Sequence, residues 1–181
     1  AVALSILTEK NFFNGSTNDI LNARKITELP ILRKDFIIDE FQVIESKSIG
    51  ADGILLIAAC LDKKEIIKLS ELAKSLGLEV LIEIHDLSEL DDCCIESVDI
   101  IGVNNRNLKT FNVDIETSVS LSSKIPSNYA KISESGISNS NDIITLKNFG
   151  YDGFLIGENF MKSVDPGRAL ANFLNEIKND C

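Results

Sequence analysis

Seven short aliphatic runs recur along the 181-residue chain: Ala3–Leu7, Ile31–Arg33, Gly53–Ile57, Glu79–Glu83, Ile100–Val103, Ala130–Ser133 and Gly153–Ile156. Their starts lie 21 to 30 residues apart. The segments between them have helical periodicity. In Lys64–Leu76, for example, Ile66, Ile67, Leu69, Leu72, Ala73 and Leu76 share one face, while Lys68, Glu71, Lys74 and Ser75 stay polar. The punctuation is regular too. Gly50, Gly77 and Gly150 stand where helices end, since glycine takes the left-handed C-terminal cap without steric cost. Asp62, Asp86 and Asp165 stand where helices begin, as side chains able to accept the first free N–H groups. A run such as Ile54-Leu55-Leu56-Ile57 is apolar on both faces, which suits a parallel strand covered by helices.

Seven β-then-α units predict an α/β fold with a parallel sheet. An open doubly wound sheet has five or six strands and a Gly-rich first turn; no G-x-G-x-x-G occurs, and Phe13-Asn14-Gly15-Ser16 does not supply one. A TIM (β/α)8 barrel has eight similar units in about 250 residues. The chain opens at Ala1, directly in an apolar run, and falls one unit short. The expectation is a single partial TIM-barrel domain over residues 1–181, with about seven β/α units and the first strand and helix absent.

Composition narrows the function classes. Lys and Arg total 18 against 28 Asp and Glu, a net charge of −10, which argues against a nucleic-acid surface. No apolar run approaches the ~18 residues of a membrane span, and no basic-then-apolar leader opens the chain. The cysteines Cys60, Cys93, Cys94 and Cys181 show no disulfide spacing, so reduced thiols and a cytoplasmic location are expected. One histidine, His85, precludes a His-rich metal site.

In a (β/α) barrel the chemistry sits where strands end, at the C-terminal face. The second run ends in Arg33-Lys34-Asp35-Phe36; a lysine there suits acid catalysis, or simply snorkels to the rim. In the fourth, Leu81, Glu83 and His85 share a face, so Glu83 points either into the mouth or toward the helices. A carboxylate among aliphatic residues must be paired, which favours a functional role; a structural histidine is favoured at His85. Asn104-Asn105-Arg106-Asn107 would suit a polar substrate or form an Asx-rich turn. Ser133-Glu134-Ser135-Gly136-Ile137 and Leu155-Ile156-Gly157-Glu158 each place a glycine after a strand, as phosphate-binding loops of barrels do. Only the backbone N–H of Glu158 need face a phosphate, with its side chain toward water.

The chain resembles the indole-3-glycerol phosphate synthase family. The match is carried by Ser5–Glu9, Leu32–Asp39, Gly102–Leu108, Ser133–Ile137 and Leu155–Glu158, in the family's order over essentially the whole chain. The resemblance implies closure of 1-(2-carboxyphenylamino)-1-deoxyribulose 5-phosphate to indole-3-glycerol phosphate, with loss of carbon dioxide and water, in tryptophan biosynthesis. It implies no metal and no organic cofactor, and a phosphorylated small-molecule partner, with no nucleic acid or membrane. By position, Lys34 matches the general-acid lysine, Glu83 the glutamate of later proton transfer and dehydration, and Asn104 a residue holding substrate hydroxyls or proton-transfer geometry. Arg106 matches the partner of the anthranilate carboxylate. Glu134 and Ser135 match polar residues at the mouth, and the backbones of Gly136, Gly157 and Glu158 the phosphate cradle. Phe13, Phe36, Leu55 and Leu108 would wall the anthranilate ring.

Family members also have a first strand with a Glu-x-Lys pair and a Ser-Pro-Ser loop, none of which precedes Ala1. Without that glutamate Lys34 is expected to lack its anionic neighbour, and the 181 residues alone to turn over little. Positive potential at the mouth is expected from Arg33, Lys34 and Arg106. Two alternatives stand beside the synthase. One is a non-catalytic partial barrel that pairs with a partner chain. The other is a different phosphate-binding barrel, such as a ribulose-phosphate epimerase or phosphoribosylanthranilate isomerase, against which Lys34-Asp35-Phe36 and Asn104–Leu108 speak.

Overall fold

The computed structural model describes residues 1–108 and 110–180, without the side chains of residues 179 and 180; Cys181 lies outside the described residues. Strands and helices alternate: β1 (Leu4–Leu7), α1 (Thr17–Arg24), β2 (Ile31–Lys34), α2 (Glu40–Ser48), β3 (Gly53–Ile57), α3 (Lys63–Ser75), β4 (Glu79–Ile84), α4 (Leu87–Cys93), β5 (Ile100–Asn104), α5 (Glu116–Ser122), β6 (Ala130–Glu134), α6 (Ser140–Asn148), β7 (Gly153–Leu155), α7 (Glu158–Met161) and α8 (Pro166–Asp180). Strand order in the sheet is chain order, as in (β/α) barrels and unlike doubly wound sheets. Each expected run is a strand, within two residues at either end.

The helix boundaries follow the signals read in the sequence. Asp62 accepts from the Glu65 N–H at 2.9 Å while Glu65 accepts from the Asp62 N–H at 2.8 Å, a reciprocal capping box that opens α3. Asp39 with Gln42, and Asn139 with Asp142, form two more. Gly50, Gly77 and Gly150 have φ of +92°, +67° and +81°, the left-handed conformation their positions demanded. A further device repeats. Asp52, Asp99 and Asp152 accept from the backbone N–H groups of Ile31, Val80 and Lys131 at 2.8, 2.9 and 2.8 Å. Each carboxylate thus satisfies a donor at the start of a strand, where the ladder offers none.

The chain divides into two compact units. In the first (1–84 with 89–101), β1, β2, β3 and β4 pair in parallel, with Leu4 opposite Ile31, Arg33 opposite Ile54 and Ile57 opposite Glu83. One sheet face packs on helices: Ile20, Ile31 and Ala51 are buried together, with Leu4, Ile6, Ala23 and Ile49 against them. Arg33 lies on this same face. It is 3% exposed, donates to the Ser46 hydroxyl and the Gln42 carbonyl of α2, and pairs with Asp35 at 3.0 Å and Glu45 at 2.8 Å. The expected contribution of Arg33 to positive potential at the mouth is therefore corrected: its guanidinium is buried against α2 and neutralised by two carboxylates.

In the second unit (85–88 with 102–181), β6 and β7 pair in parallel, with Ile132 opposite Gly153. Phe160 and Phe173 meet edge to face at 5.4 Å and pin α7 to α8. Tyr151 is buried and donates its hydroxyl to the Ser118 carbonyl at 2.7 Å. Among the described residues no helix is long and apolar enough to cross a membrane. Cys93 is buried, which pushes its thiol up to about 12. Cys60 is exposed.

Two outcomes follow from these packing arrangements. Removing Arg33 leaves Asp35 and Glu45 uncompensated, so Arg33→Ala lowers denaturant stability by about 3–5 kcal/mol; a loss under about 1 kcal/mol would show the network to be idle. Burial also raises the Tyr151 phenol from 10.0 to about 12. Above pH 10 the unfolded chain then releases a proton that the folded chain retains, so stability is complete below pH 10 and declines toward pH 12. The difference amounts to about 2–3 kcal/mol. Alkaline denaturation of Tyr151→Phe should lack that part of the slope; an unchanged slope counts against burial of the phenol.

Candidate active site

The strand register decides which side chains of the first unit share a face. Opposed residues of parallel strands point the same way, and successive residues alternate. Leu4, Ile6, Ile31 and Arg33 face the helices, so Leu7 and its partner Lys34 face away from them. The β2–β3 register puts Leu55 on that second face, and the β3–β4 register adds Ile57, Leu81 and Glu83. Glu83 is only 4% exposed, and Lys34 Nζ donates to its Oε2 at 3.0 Å. This corrects the expectation that Lys34 lacks an anionic neighbour: Glu83, two strands away, is that neighbour. The Lys34 side chain keeps 28% exposure, while its ammonium is held by a buried carboxylate.

Aromatic rings lie beyond the end of β2. Phe13 stacks on Phe36 with centroids 6.3 Å apart, and Phe12 meets Phe36 edge-on at the same distance. All three are exposed. The loop after β1 that carries Phe12 and Phe13 is fixed by Glu9, whose carboxylate accepts from the N–H groups of Asn11, Phe12 and Phe13. Desolvation pulls the Glu9 carboxyl up, but the three N–H groups together outweigh it and hold it below the usual range. Gly15 lets the loop return over β1: a Cβ there would sit 2.4 Å from the Leu7 carbonyl oxygen. Phe12 and Glu9 were not singled out in the sequence. Three consecutive N–H groups converging on one side chain leave no periodic signal.

In the second unit, Asn104 ends β5 and its Oδ1 accepts from the Arg106 N–H at 3.0 Å. Asn107 does the same for Thr110, so an Asx turn shapes this loop. Arg106 reaches Glu158 at 2.7 Å, and Lys162 reaches the other Glu158 oxygen at 2.7 Å. Lys162 foremost, with Arg106 behind it, holds the Glu158 carboxyl below the usual range. The Glu158 side chain keeps 58% exposure, toward water as expected, and two cations hold it there. Glu134 is buried, and Ser135 and Gly136 follow with φ of +66° and +76°. A Cβ on Gly136 would meet Val113 Cγ1 at 2.3 Å, so only glycine fits there. Gly157 has open space at its Cβ position and caps the four-residue α7, while Leu108 is half exposed. His85 is partly exposed and lines a groove of about 550 Å³ with Asp86, Asp114 and Lys124. Asn105, read in the sequence only as one of four polar neighbours, is 2% exposed and turned inward. No group of three or more His, Cys, Asp or Glu able to hold a metal ion occurs among the described residues.

Comparison with known proteins identifies the family and the fold. The family model for indole-3-glycerol phosphate synthase matches residues 1–173. The indole-3-glycerol phosphate synthase of Bacteroides thetaiotaomicron is 50% identical over 178 residues, covering 98% of this chain and 68% of that protein. That of a Thermoanaerobacter species is 49% identical, covering 97% and 67%. That of Variovorax paradoxus is 45% identical, covering 94% and 64%. The chain thus spans about two thirds of the length of these relatives. Among solved structures, 3-hexulose-6-phosphate synthase from Salmonella typhimurium superposes with a TM-score of 0.79 at 17% identity, covering 98% of this chain and 87% of that one. The tryptophan synthase alpha-subunit of Pyrococcus furiosus superposes with a TM-score of 0.71 at 14% identity, covering 98% and 86%. Both share the fold, a TIM barrel. A family model spanning nearly the whole sequence and relatives identical at about every second position leave one conclusion: the chain belongs to the indole-3-glycerol phosphate synthase family, the carboxy-lyases of tryptophan biosynthesis.

Proposed function

We propose that the polypeptide carrying this chain closes 1-(2-carboxyphenylamino)-1-deoxyribulose 5-phosphate to indole-3-glycerol phosphate, releasing carbon dioxide and water. The observation that carries this reading is the Lys34–Glu83 pair, an ammonium on a 28% exposed side chain held at 3.0 Å by a buried carboxylate. Ring closure needs an acid at the ketone oxygen while the aromatic carbon attacks, because negative charge develops there. Lys34 supplies that proton as the carbon–carbon bond forms. Loss of carbon dioxide then leaves its electron pair with the ring, and departure of the protonated hydroxyl as water needs a second proton transfer. Glu83 serves that step, with Asn104 holding the substrate hydroxyls. Phe13, Phe36, Leu55 and Leu108 give the anthranilate ring apolar surface, and Arg106 meets its carboxylate after exchanging its hold on Glu158.

Phosphate recognition falls to the backbone N–H groups of Gly136, Gly157 and Glu158, with Glu134 and Ser135 as polar neighbours. A cytoplasmic location belongs to the same proposal and is supported by the free thiols of Cys60, Cys93 and Cys94. In the polypeptide that carries this chain, Lys34→Met should lower stability by several kcal/mol, because Glu83 loses its cation, and lower the kcat of the folded protein by about 10²–10⁴-fold, the span of a lost general acid. An unchanged kcat would remove Lys34 from the chemistry.

A further inference from the structure

Asn105 has the most fully used side chain in the second unit. Its Nδ2 donates to the Ser133 hydroxyl at 3.0 Å and to the Ser135 carbonyl at 3.0 Å. Its Oδ1 accepts from the Ser118 N–H at 3.1 Å and the Ser118 hydroxyl at 2.8 Å. A carboxamide has two donors and two acceptor sites, so its capacity is filled. Its backbone is fixed as well: the Asn105 N–H donates to the Glu134 carbonyl at 2.9 Å, and its carbonyl accepts from Asp114 at 3.0 Å.

The contact with Ser135 has a consequence for the next residue. The Ser135 carbonyl and the Gly136 N–H belong to one planar trans peptide, so they point in opposite directions. Fixing the carbonyl on Asn105 therefore fixes the Gly136 N–H on the far side of that plane. The segment needs such a hold, because Ser135 has a left-handed φ of +66°, which a side-chain-bearing residue resists unless its surroundings impose it. The adjacent Asn104 and Arg106 are tied to the same anchored strand end.

We propose that Asn105 is a positioning residue for phosphate recognition: through the Ser135 carbonyl it aims the Gly136 N–H at the phosphoryl group. This rests on the reading of residues 136, 157 and 158 as the phosphate cradle. Asn105→Asp tests it, because it preserves shape and the acceptor toward Ser118 while placing an oxygen against the Ser135 carbonyl. In the polypeptide carrying this chain, the expected result is a rise of about tenfold in both the KM for the phosphorylated substrate and the inhibition constant of inorganic phosphate, with kcat within about threefold of the parent. Ser133→Ala removes a different Asn105 contact; it should lower Tm and leave KM unchanged. A folded Asn105→Asp protein with unaltered KM and phosphate inhibition overturns the proposal, as does an equal rise in KM for Ser133→Ala. Should Asn105→Asp not fold, Asn105→Ser, too short to reach the Ser135 carbonyl, must show the same rise. If inorganic phosphate does not inhibit the parent protein at all, the cradle reading fails and the proposal falls with it. Normal inhibition with an indifferent Asn105 variant defeats only the positioning role.

Discussion

A carboxylate enclosed by aliphatic strands must be matched by a cation, and Glu83 imposes that requirement on the first unit. Both neighbours of Glu83 on β4, Ile82 and Ile84, are fully buried, and so is its own side chain. Leaving such a charge unmatched would cost several kcal/mol. Lys34 meets the need only because the β1–β4 register places it on the face away from the helices, in reach across β3. A slip of one residue in β2 would turn Arg33 to that face and bury Lys34 against α2. The same register therefore sorts two adjacent cations onto opposite faces: Arg33 ties β2 to α2, and Lys34 pairs with Glu83.

Around Asn105 the second unit buries neutral polar groups instead. Asn105, Ser118, Ser133 and Tyr151 connect α5, β6 and β7 through neutral hydrogen bonds, each buried group satisfied by another. A saturated network of this kind rigidifies, because losing one member strands the rest. It lies directly beneath Asn104, Arg106 and the Ser135-Gly136 turn. Arg106 itself is held by Glu158, so the second unit presents its cation already engaged by a carboxylate, which the proposed substrate carboxylate would replace.

Much of this was legible in the residues. Short aliphatic runs marked the seven strands, most plainly β3, which is buried on both faces, and Gly50, Gly77 and Gly150 marked the helix ends because left-handed caps exclude most side chains. Motif order at the strand ends pointed to the family. What stayed hidden depends on contacts across sequence distance. Period-two alternation could not say which face of β2 meets the helices, so Arg33 and Lys34 read alike as mouth charges. The Glu9 carboxylate gathering three N–H groups, the Arg106–Glu158 pair and the inward turn of Asn105 each join groups whose pairing no spacing rule encodes. Asp52 and Asp152 stood in plain view behind their glycines, yet their role as strand-start acceptors emerges only from the partner strand.

Because the account makes Lys34 and Glu83 a single working pair, a double-mutant cycle on kcat tests it most directly. Lys34→Met, Glu83→Gln and the combined variant are compared in the polypeptide that carries this chain. If the two groups act as a unit, the double variant loses little more than the more damaged single variant. Losses that multiply, as for two independent sites, would contradict the pairing at the centre of this account.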